Sequence, residues 1–169
     1  LHPSNLHDNA YAVGTIDFTG DMPVILGKDG PSLGGFVCPA TIITADLWKV
    51  GQLRSGDKVK FVPVTPEQAA VLREELDALL QNPDRKDLVL DEPVGIVPKS
   101  PILAEFHRED PMSHIVCRQD GDAYFLLEFG PPVIDLRLRF TAHAWMLKLE
   151  EMHLPAILDI TPGIRSIQI

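Results

Sequence analysis

Hydrophobic and polar residues alternate along much of the chain, which is the pattern of β-strands that bury one face. Glycine and proline clusters interrupt the alternation, so the strands are predicted to be short and joined by turns. The Asp120-Gly121 dipeptide between two apolar runs predicts the tip of a hairpin. The predicted strands cover residues 11–18, 24–26, 36–43, 58–64, 115–117, 124–127 and 164–169.

A long helix is predicted to begin at Thr65 and to end before Asn82. Thr65 is a typical cap, Pro66 suits the first helical position, and Gln68 stands three residues after the cap, as in a capping box. The apolar stripe of this helix consists of Leu72, Leu76, Leu79 and Leu80.

Two further helical segments are predicted. Thr44 is expected to cap a short turn through Trp48. Asp135 is expected to cap a second long helix that ends before Pro155. The face predicted to be buried in that helix consists of Leu136, Phe140, Ala144 and Leu147.

The distribution of these signals predicts two domains. Residues 1–64 would form the first and residues 112–169 the second, with a helix and a proline-rich linker at 65–111 between them. The chain starts at Leu1 without an initiator methionine, and its last strand stops without a turn signal. Both ends are therefore expected to be cuts within a longer protein.

Composition limits the classes of function. A formal net charge of -9 argues against nucleic acid as a partner, because phosphate binding needs clustered Lys and Arg. No apolar stretch is long enough for a membrane helix, so a cytoplasmic protein is expected. The two cysteines, Cys38 and Cys117, have no Cys-x-x-Cys spacing, and Cys38 is predicted to be a small buried core residue and not a nucleophile.

Two sets of motifs resemble known families. GPSLGGFVCPAT at 30–41, ADLWK at 45–49 and QLRSGD at 52–57 resemble the end of the second allophanate-hydrolase-subunit family. GDA at 121–123 through LEFG at 127–130, followed by PGIRS at 162–166, resembles the start of the first-subunit family. Subunit two ahead of subunit one is the order in urea carboxylases and urea amidolyases, so the chain resembles a piece of their carboxyltransferase component.

This resemblance implies a fold, an activity and partners. The implied fold is mainly β with a few helices, made of cyclophilin-like β-barrel pieces from two consecutive domains. The implied reaction transfers the carboxyl group of carboxybiotin to urea, giving allophanate. Biotin would arrive on a separate carrier domain, and a separate biotin carboxylase domain would use ATP and bicarbonate. The fragment alone is expected to be inactive.

Asn5 is the leading candidate for substrate binding and catalysis. Its amide offers a donor and an acceptor, which match neutral urea, whereas a guanidinium substrate would call for a carboxylate. The alternative is that Asn5 caps a turn after Pro3. His7 is a candidate general base and Asp8 a candidate substrate ligand, but adjacent residues on an extended chain point in opposite directions, so no metal site is predicted.

The glycine-rich loop at 30–35 is the second candidate. Ser32, Gly34 and Gly35 could let backbone N–H groups approach a flat ureido or carboxylate group. The alternative is a sharp barrel corner that requires positive φ. Lys28 could stabilise negative charge on the biotin ureido oxygen, or be a solvated hairpin residue. Arg165 could face a ligand or brace a strand.

Three other functions remain open from the sequence. Guanidine carboxylation would use the same machinery, with Asn5 as the only discriminating residue. A 5-oxoprolinase subunit is disfavoured by the order of the two families. A non-catalytic binding module, like the related regulators of a sporulation kinase, is also disfavoured by the fusion order.

Overall fold

The structure, a computed structural model, describes residues 8–31, 33–84 and 100–169. The strands are Asn9–Ala10 (β1), Thr15–Phe18 (β2), Pro23–Ile25 (β3), Leu33–Gly34 (β4), Val37–Thr41 (β5), Ile102–Phe106 (β6), Ile115–Asp120 (β7), Tyr124–Phe129 (β8), Thr161–Pro162 (β9) and Ser166–Gln168 (β10). The α-helices are Leu47–Val50 (α1), Pro66–Gln81 (α2) and Leu136–Glu151 (α3). The predicted class, mainly β with a few helices, is confirmed.

The strands form three antiparallel sheets. β1 pairs with β4, and β3, β2 and β5 form a second sheet in that order. The third sheet has the order β6-β7-β8-β10-β9. Its central hairpin, β7 with β8, turns at Gly121, whose φ of 68° suits a residue without a side chain. The predicted hairpin at Asp120-Gly121 is therefore confirmed.

The capping box of α2 is also confirmed. The Gln68 backbone N–H donates to Thr65 Oγ1 at 3.2 Å, and the Thr65 N–H donates to Gln68 Oε1 at 3.0 Å. These two bonds satisfy donors that the first turn of a helix leaves open. The cap depends only on residues within one turn, which is why the sequence could predict it.

The buried face of α3 was predicted wrongly. Asp135 caps the helix as expected, with its Oδ1 accepting from the Arg137 N–H at 2.8 Å. The core, however, contains Leu138 and Ala142 against Phe129 and Ile167. The predicted stripe is exposed, and its largest members are Leu136 (72% exposed), Phe140 (68%) and Leu147 (45%).

Two predicted features differ in the segments around α2. Residues 58–64 form no strand, and Val59, Phe61 and Val62 are exposed. Their alternation has the period of a strand, but no strand among the described residues pairs with them. Residues 102–106 lie inside the predicted linker and yet form β6, which pairs with β7.

Residues 85–99 lie outside the described part, so the proposed division into domains stays a prediction. For the positions that the structure does describe, no helix has both the length and the apolar character needed to cross a membrane.

Candidate functional site

The strand that follows the N-terminal segment meets the end of the glycine-rich loop. β1 pairs with β4 so that Asn9 stands opposite Gly34 and Ala10 opposite Leu33. Because the strands are antiparallel, Asp8 and Gly35 flank the same end of this pair. Two of the predicted site residues are thus neighbours of one short ladder.

Several predicted site residues cannot be placed. Asn5, His7 and Ser32 lie outside the described residues, so their roles stay predictions. Asp8 is exposed, and its backbone oxygen accepts from the Ile164 N–H at 3.1 Å. This bond joins the candidate site to the segment before β10.

Tyr11, the residue after β1, bonds through its side chain to the residue that follows Gly35. Its Oη accepts from the Phe36 backbone N–H at 2.9 Å. Burial raises the pKa of the Tyr11 hydroxyl, with the Phe36 bond acting in the opposite direction. Tyr11 was not among the site residues predicted from the sequence. The signal in the sequence is a tyrosine in an apolar run, whose hydroxyl needs a polar partner once the ring is buried.

The same ring explains the glycine at position 34. A Cβ at Gly34 would overlap the Tyr11 ring and hydroxyl. Neither Gly30 nor Gly34 has the positive φ that a sharp corner was expected to require. Glycine is needed at position 34 because the tyrosine lies against the backbone there.

The beginning of the loop forms a closed turn. The Gly30 N–H donates to the Gly27 carbonyl oxygen at 3.0 Å, so that amide already has its hydrogen-bond partner. Lys28 lies within this turn and is exposed. Its assigned role in stabilising negative charge stays a prediction.

Two carboxylates, one buried and one half-buried, lie on β2 and β7. Asp17 on β2 is 1% exposed, and its Oδ1 has no hydrogen-bond partner among the described residues. Asp120, at the end of β7, accepts from Gln168 Nε2 at 2.5 Å. Burial raises the pKa of both carboxyl groups, because a charged carboxylate loses hydration there.

Cys38 is influenced by both carboxylates. The residue is exposed on β5, so the prediction that it is buried was wrong. The three central residues of β5 are all exposed, so the apolar run before Cys38 does not lead to a buried position. Desolvation by neighbouring protein atoms, together with the charges of Asp17 and Asp120, raises the pKa of the thiol to about 12. At neutral pH the sulfur is therefore protonated, which makes it a poor nucleophile.

Arg165 braces a strand. Its Nη2 donates to Glu128 Oε1 at 2.6 Å, and its Nη1 donates to the carbonyl oxygens of Phe129 and Gly130 at 3.2 and 3.1 Å. Arg118 holds the other carboxylate oxygen of Glu128. Of the two roles open to Arg165 from the sequence, the structure supports the bracing role. Among residues 8–31, 33–84 and 100–169, no three His, Cys, Asp or Glu side chains are grouped to hold a metal ion.

Comparisons with known proteins agree with this arrangement. Residues 1–63 match the family of carboxyltransferase domains, subdomains A and B. Over 172 aligned residues the chain is 39% identical to a urea amidolyase from Saccharomyces cerevisiae, covering 100% of this chain and 9% of that protein. A putative urea carboxylase from Emericella nidulans is 35% identical over 164 residues, covering 89% of this chain and 13% of that protein.

A solved structure extends the likeness to the fold. The crystal structure of the K. lactis urea amidolyase superimposes with a TM-score of 0.90 and 41% sequence identity, over 100% of this chain and 10% of that one. By fold and sequence, the chain is therefore a carboxyltransferase segment. Over its whole length it is similar in sequence and fold to one segment of urea amidolyases and urea carboxylases, and it spans about a tenth of the length of those proteins.

Proposed function

We propose that the chain is part of the carboxyltransferase of a biotin-dependent urea carboxylase, which transfers the carboxyl group of carboxybiotin to urea and yields allophanate. The observation that carries this proposal is the match of the whole chain, in sequence and in fold, to urea amidolyases. Because the chain spans only about a tenth of those proteins, its activity would require the remaining parts of the enzyme.

The ladder of β1 and β4 supports the proposed binding site. It brings Asp8 and Gly35 to the same end of the strand pair, so the N-terminal segment adjoins the last residue of the glycine-rich loop. β4 has β1 as its one strand neighbour among the described residues, which leaves its second edge available. A flat ureido group has the donors and acceptor of a peptide and fits such an edge.

Within this site each residue would have a separate task. Asn5 would orient urea through one donated and one accepted hydrogen bond. The backbone at Ser32, Gly34 and Gly35 would receive the ureido or carboxylate group, with Asp8 at the rim. Lys28 would stabilise negative charge on the ureido oxygen, and His7 is the candidate for proton transfer.

The cofactor and its partners would lie outside this chain. Carboxybiotin, when docked, supplies the carboxyl group, and the carrier domain of the same enzyme would bring it. A separate biotin carboxylase domain would consume ATP and bicarbonate to charge that carrier. The residues of this chain would hold urea beside the carboxyl group and exclude water, which contributes proximity and orientation. A cytoplasmic location fits this chemistry.

The test is an assay of ATP turnover by the complete purified enzyme with urea and with guanidine. Urea is expected to be preferred, and Asn5→Asp is expected to lower kcat/KM for urea by about tenfold or more, because a carboxylate cannot donate to the urea oxygen. Asn82→Asp, at the exposed end of α2, is the matched control and should leave kcat/KM for urea unchanged.

Two results would contradict the proposal. A wild-type preference for guanidine would overturn the role of Asn5 and indicate the guanidine carboxylase alternative. Binding to a histidine kinase, without any biotin-dependent carboxyl transfer, would indicate a regulatory module instead.

A further inference from the structure

The tip of the β7–β8 hairpin contacts the N-terminal part of the chain. Asp122, at this tip, is 5% exposed in its side chain. Its Oδ1 accepts from both the backbone N–H and the Oγ1 hydroxyl of Thr44, each at 2.9 Å. Thr44 was predicted to be a helix cap, which was wrong: its side chain bonds to a residue 78 positions away instead.

A third element joins this contact. Arg73 of α2 donates from Nη1 to the Asp122 backbone oxygen at 3.3 Å, and the same nitrogen lies 4.0 Å from Asp122 Oδ2. That Oδ2 is buried and has no hydrogen-bond partner within the described part of the chain. The Asp122 carboxylate therefore makes its hydrogen bonds to Thr44 and not to the arginine.

Gly121, next to Asp122, packs closely against the end of β5. A Cβ at Gly121 would lie 3.0 Å from Thr41 Cγ2, which is tighter than an ordinary contact. Thr41 is the last residue of β5, and Thr44 follows three positions later. The hairpin tip thus fixes the C-terminal end of the segment that contains β4 and β5.

We call residues 33–44 the β4–β5 arm. Near its start, the arm contains Gly34 and Gly35, and Tyr11 holds it through the Phe36 N–H at 2.9 Å. At its end, Asp122 holds it through Thr44. Besides the pairing of β4 with β1 and of β5 with β2, the arm therefore has one side-chain contact near its start, from the N-terminal part, and one at its end, from the C-terminal part of the chain.

We propose that Asp122 is a positioning residue for the carboxyltransferase site, acting through Thr44 to keep the β4–β5 arm in place for substrate. This proposal rests on the proposed function. Hydrogen bonds to a charged acceptor are stronger than neutral ones, so two of them to one threonine restrain the arm effectively. Without them, the end of the arm beyond β5 would be restrained less, and a ligand that binds the arm would have to restrict that motion, which weakens binding.

The experiment compares Asp122→Ala and Asp122→Asn in the complete enzyme. The alanine variant is expected to raise KM for urea by about tenfold with kcat changed less than about threefold, which is the signature of lost ground-state binding. Asparagine keeps an acceptor oxygen for Thr44, so its effect should be smaller. Asp135→Ala is the matched control, because Asp135 also bonds a backbone N–H but in α3.

Hydrogen exchange, measured without substrate, checks the position of the arm directly. Asp122→Ala should increase deuterium uptake in residues 36–44 and leave 136–151 unchanged. Thr44→Val removes only the hydroxyl donor and should give the same pattern in weaker form, even if the alanine variant folds poorly.

Two results would overturn the positioning role: unchanged uptake in the arm of the Asp122 variants, or an equal rise in KM for Asp135→Ala. The proposed function fails separately, if the wild-type enzyme turns over no urea. In that case increased uptake in the arm would still show that Asp122 holds it.

Discussion

At the scale of single residues, the candidate site depends on one close contact between a buried ring and a glycine. Tyr11 is 9% exposed and lies against the Gly34 backbone. The ring occupies the space that a side chain at position 34 would need. The two residues are 23 positions apart in the chain. The sequence shows that position 34 is a glycine, but it does not show that Tyr11 is the reason.

Gly34→Ala is therefore expected to destabilise the chain by about 1–3 kcal/mol, the usual cost of forcing atoms into a filled space. Gly27→Ala is the control, because a Cβ at Gly27 meets nothing within 4 Å. Guanidinium chloride denaturation of both variants measures the difference. Equal midpoints for the two variants would contradict the contact.

Asp17 predicts a pH dependence of stability. Burial raises the pKa of its carboxyl group in the folded chain above the unfolded value. The folded state then holds its proton more tightly, so this residue's contribution to stability falls as pH rises through the interval between the two values. Below the unfolded pKa, near 3.9, the contribution no longer changes with pH.

Asp17→Asn removes this titration. The free energy of unfolding of the variant, minus that of the wild type, should increase as pH rises from about 3 to 7, because the wild type loses stability there and the unfolded pKa of Asp is near 3.9. Denaturation of both proteins across that range measures the difference. A constant difference at all pH values, or one that changes with the opposite sign, would count against a raised pKa.

At the scale of elements, α3 shows what a hydrophobic period can and cannot predict. Two apolar stripes satisfy the helical repeat, one at Leu138 and Ala142 and the other at Leu136 and Phe140. Packing against Phe129 and Ile167 of the sheet selects the first stripe. The helix and its Asp135 cap were thus predictable, whereas its orientation required the sheet.

Leu138→Ala is expected to cost about 2–5 kcal/mol, because it opens a cavity in the core. Phe140→Ala, on the exposed stripe, should change the free energy of unfolding by less than about 0.5 kcal/mol. Chemical denaturation of the two variants compares the faces. A larger loss for Phe140→Ala would show that the exposed stripe is covered in solution.

At the scale of the whole molecule, hydrogen bonds between described residues join the N-terminal and C-terminal parts at two places. Asp122 bonds Thr44 at the hairpin tip, and the Ile164 N–H donates to the Asp8 oxygen near β1. Both contacts are hydrogen bonds, and the one at the hairpin tip involves the Asp122 side chain, which is 5% exposed. The two predicted domains are therefore expected to unfold together, which the cooperativity of unfolding can test.

Trp48 lies in the N-terminal part and Trp145 in the C-terminal part, so single-tryptophan variants can report on each. Trp145→Phe leaves Trp48 as the fluorophore, and Trp48→Phe leaves Trp145, which stacks on Phe129 with ring centroids 6.2 Å apart. The two unfolding transitions are expected to coincide, because the parts share buried polar contacts. Separate midpoints would show that the parts unfold independently.

The sequence by itself determined the features that are encoded within a few residues. The capping box at Thr65, the cap at Asp135 and the turn at Gly121 all formed as predicted, because a turn or a cap is decided by local hydrogen bonds and backbone freedom. The family motifs are equally local in sequence. They indicated the similarity to urea amidolyases and urea carboxylases that the comparisons show.

Only the tertiary structure decided which residues are partners. It gave residues 102–106 a neighbouring strand and left 58–64 without one, and it turned Thr44 from a predicted cap into the partner of Asp122. Such choices depend on contacts between residues far apart in the chain, whose free energy no local pattern contains.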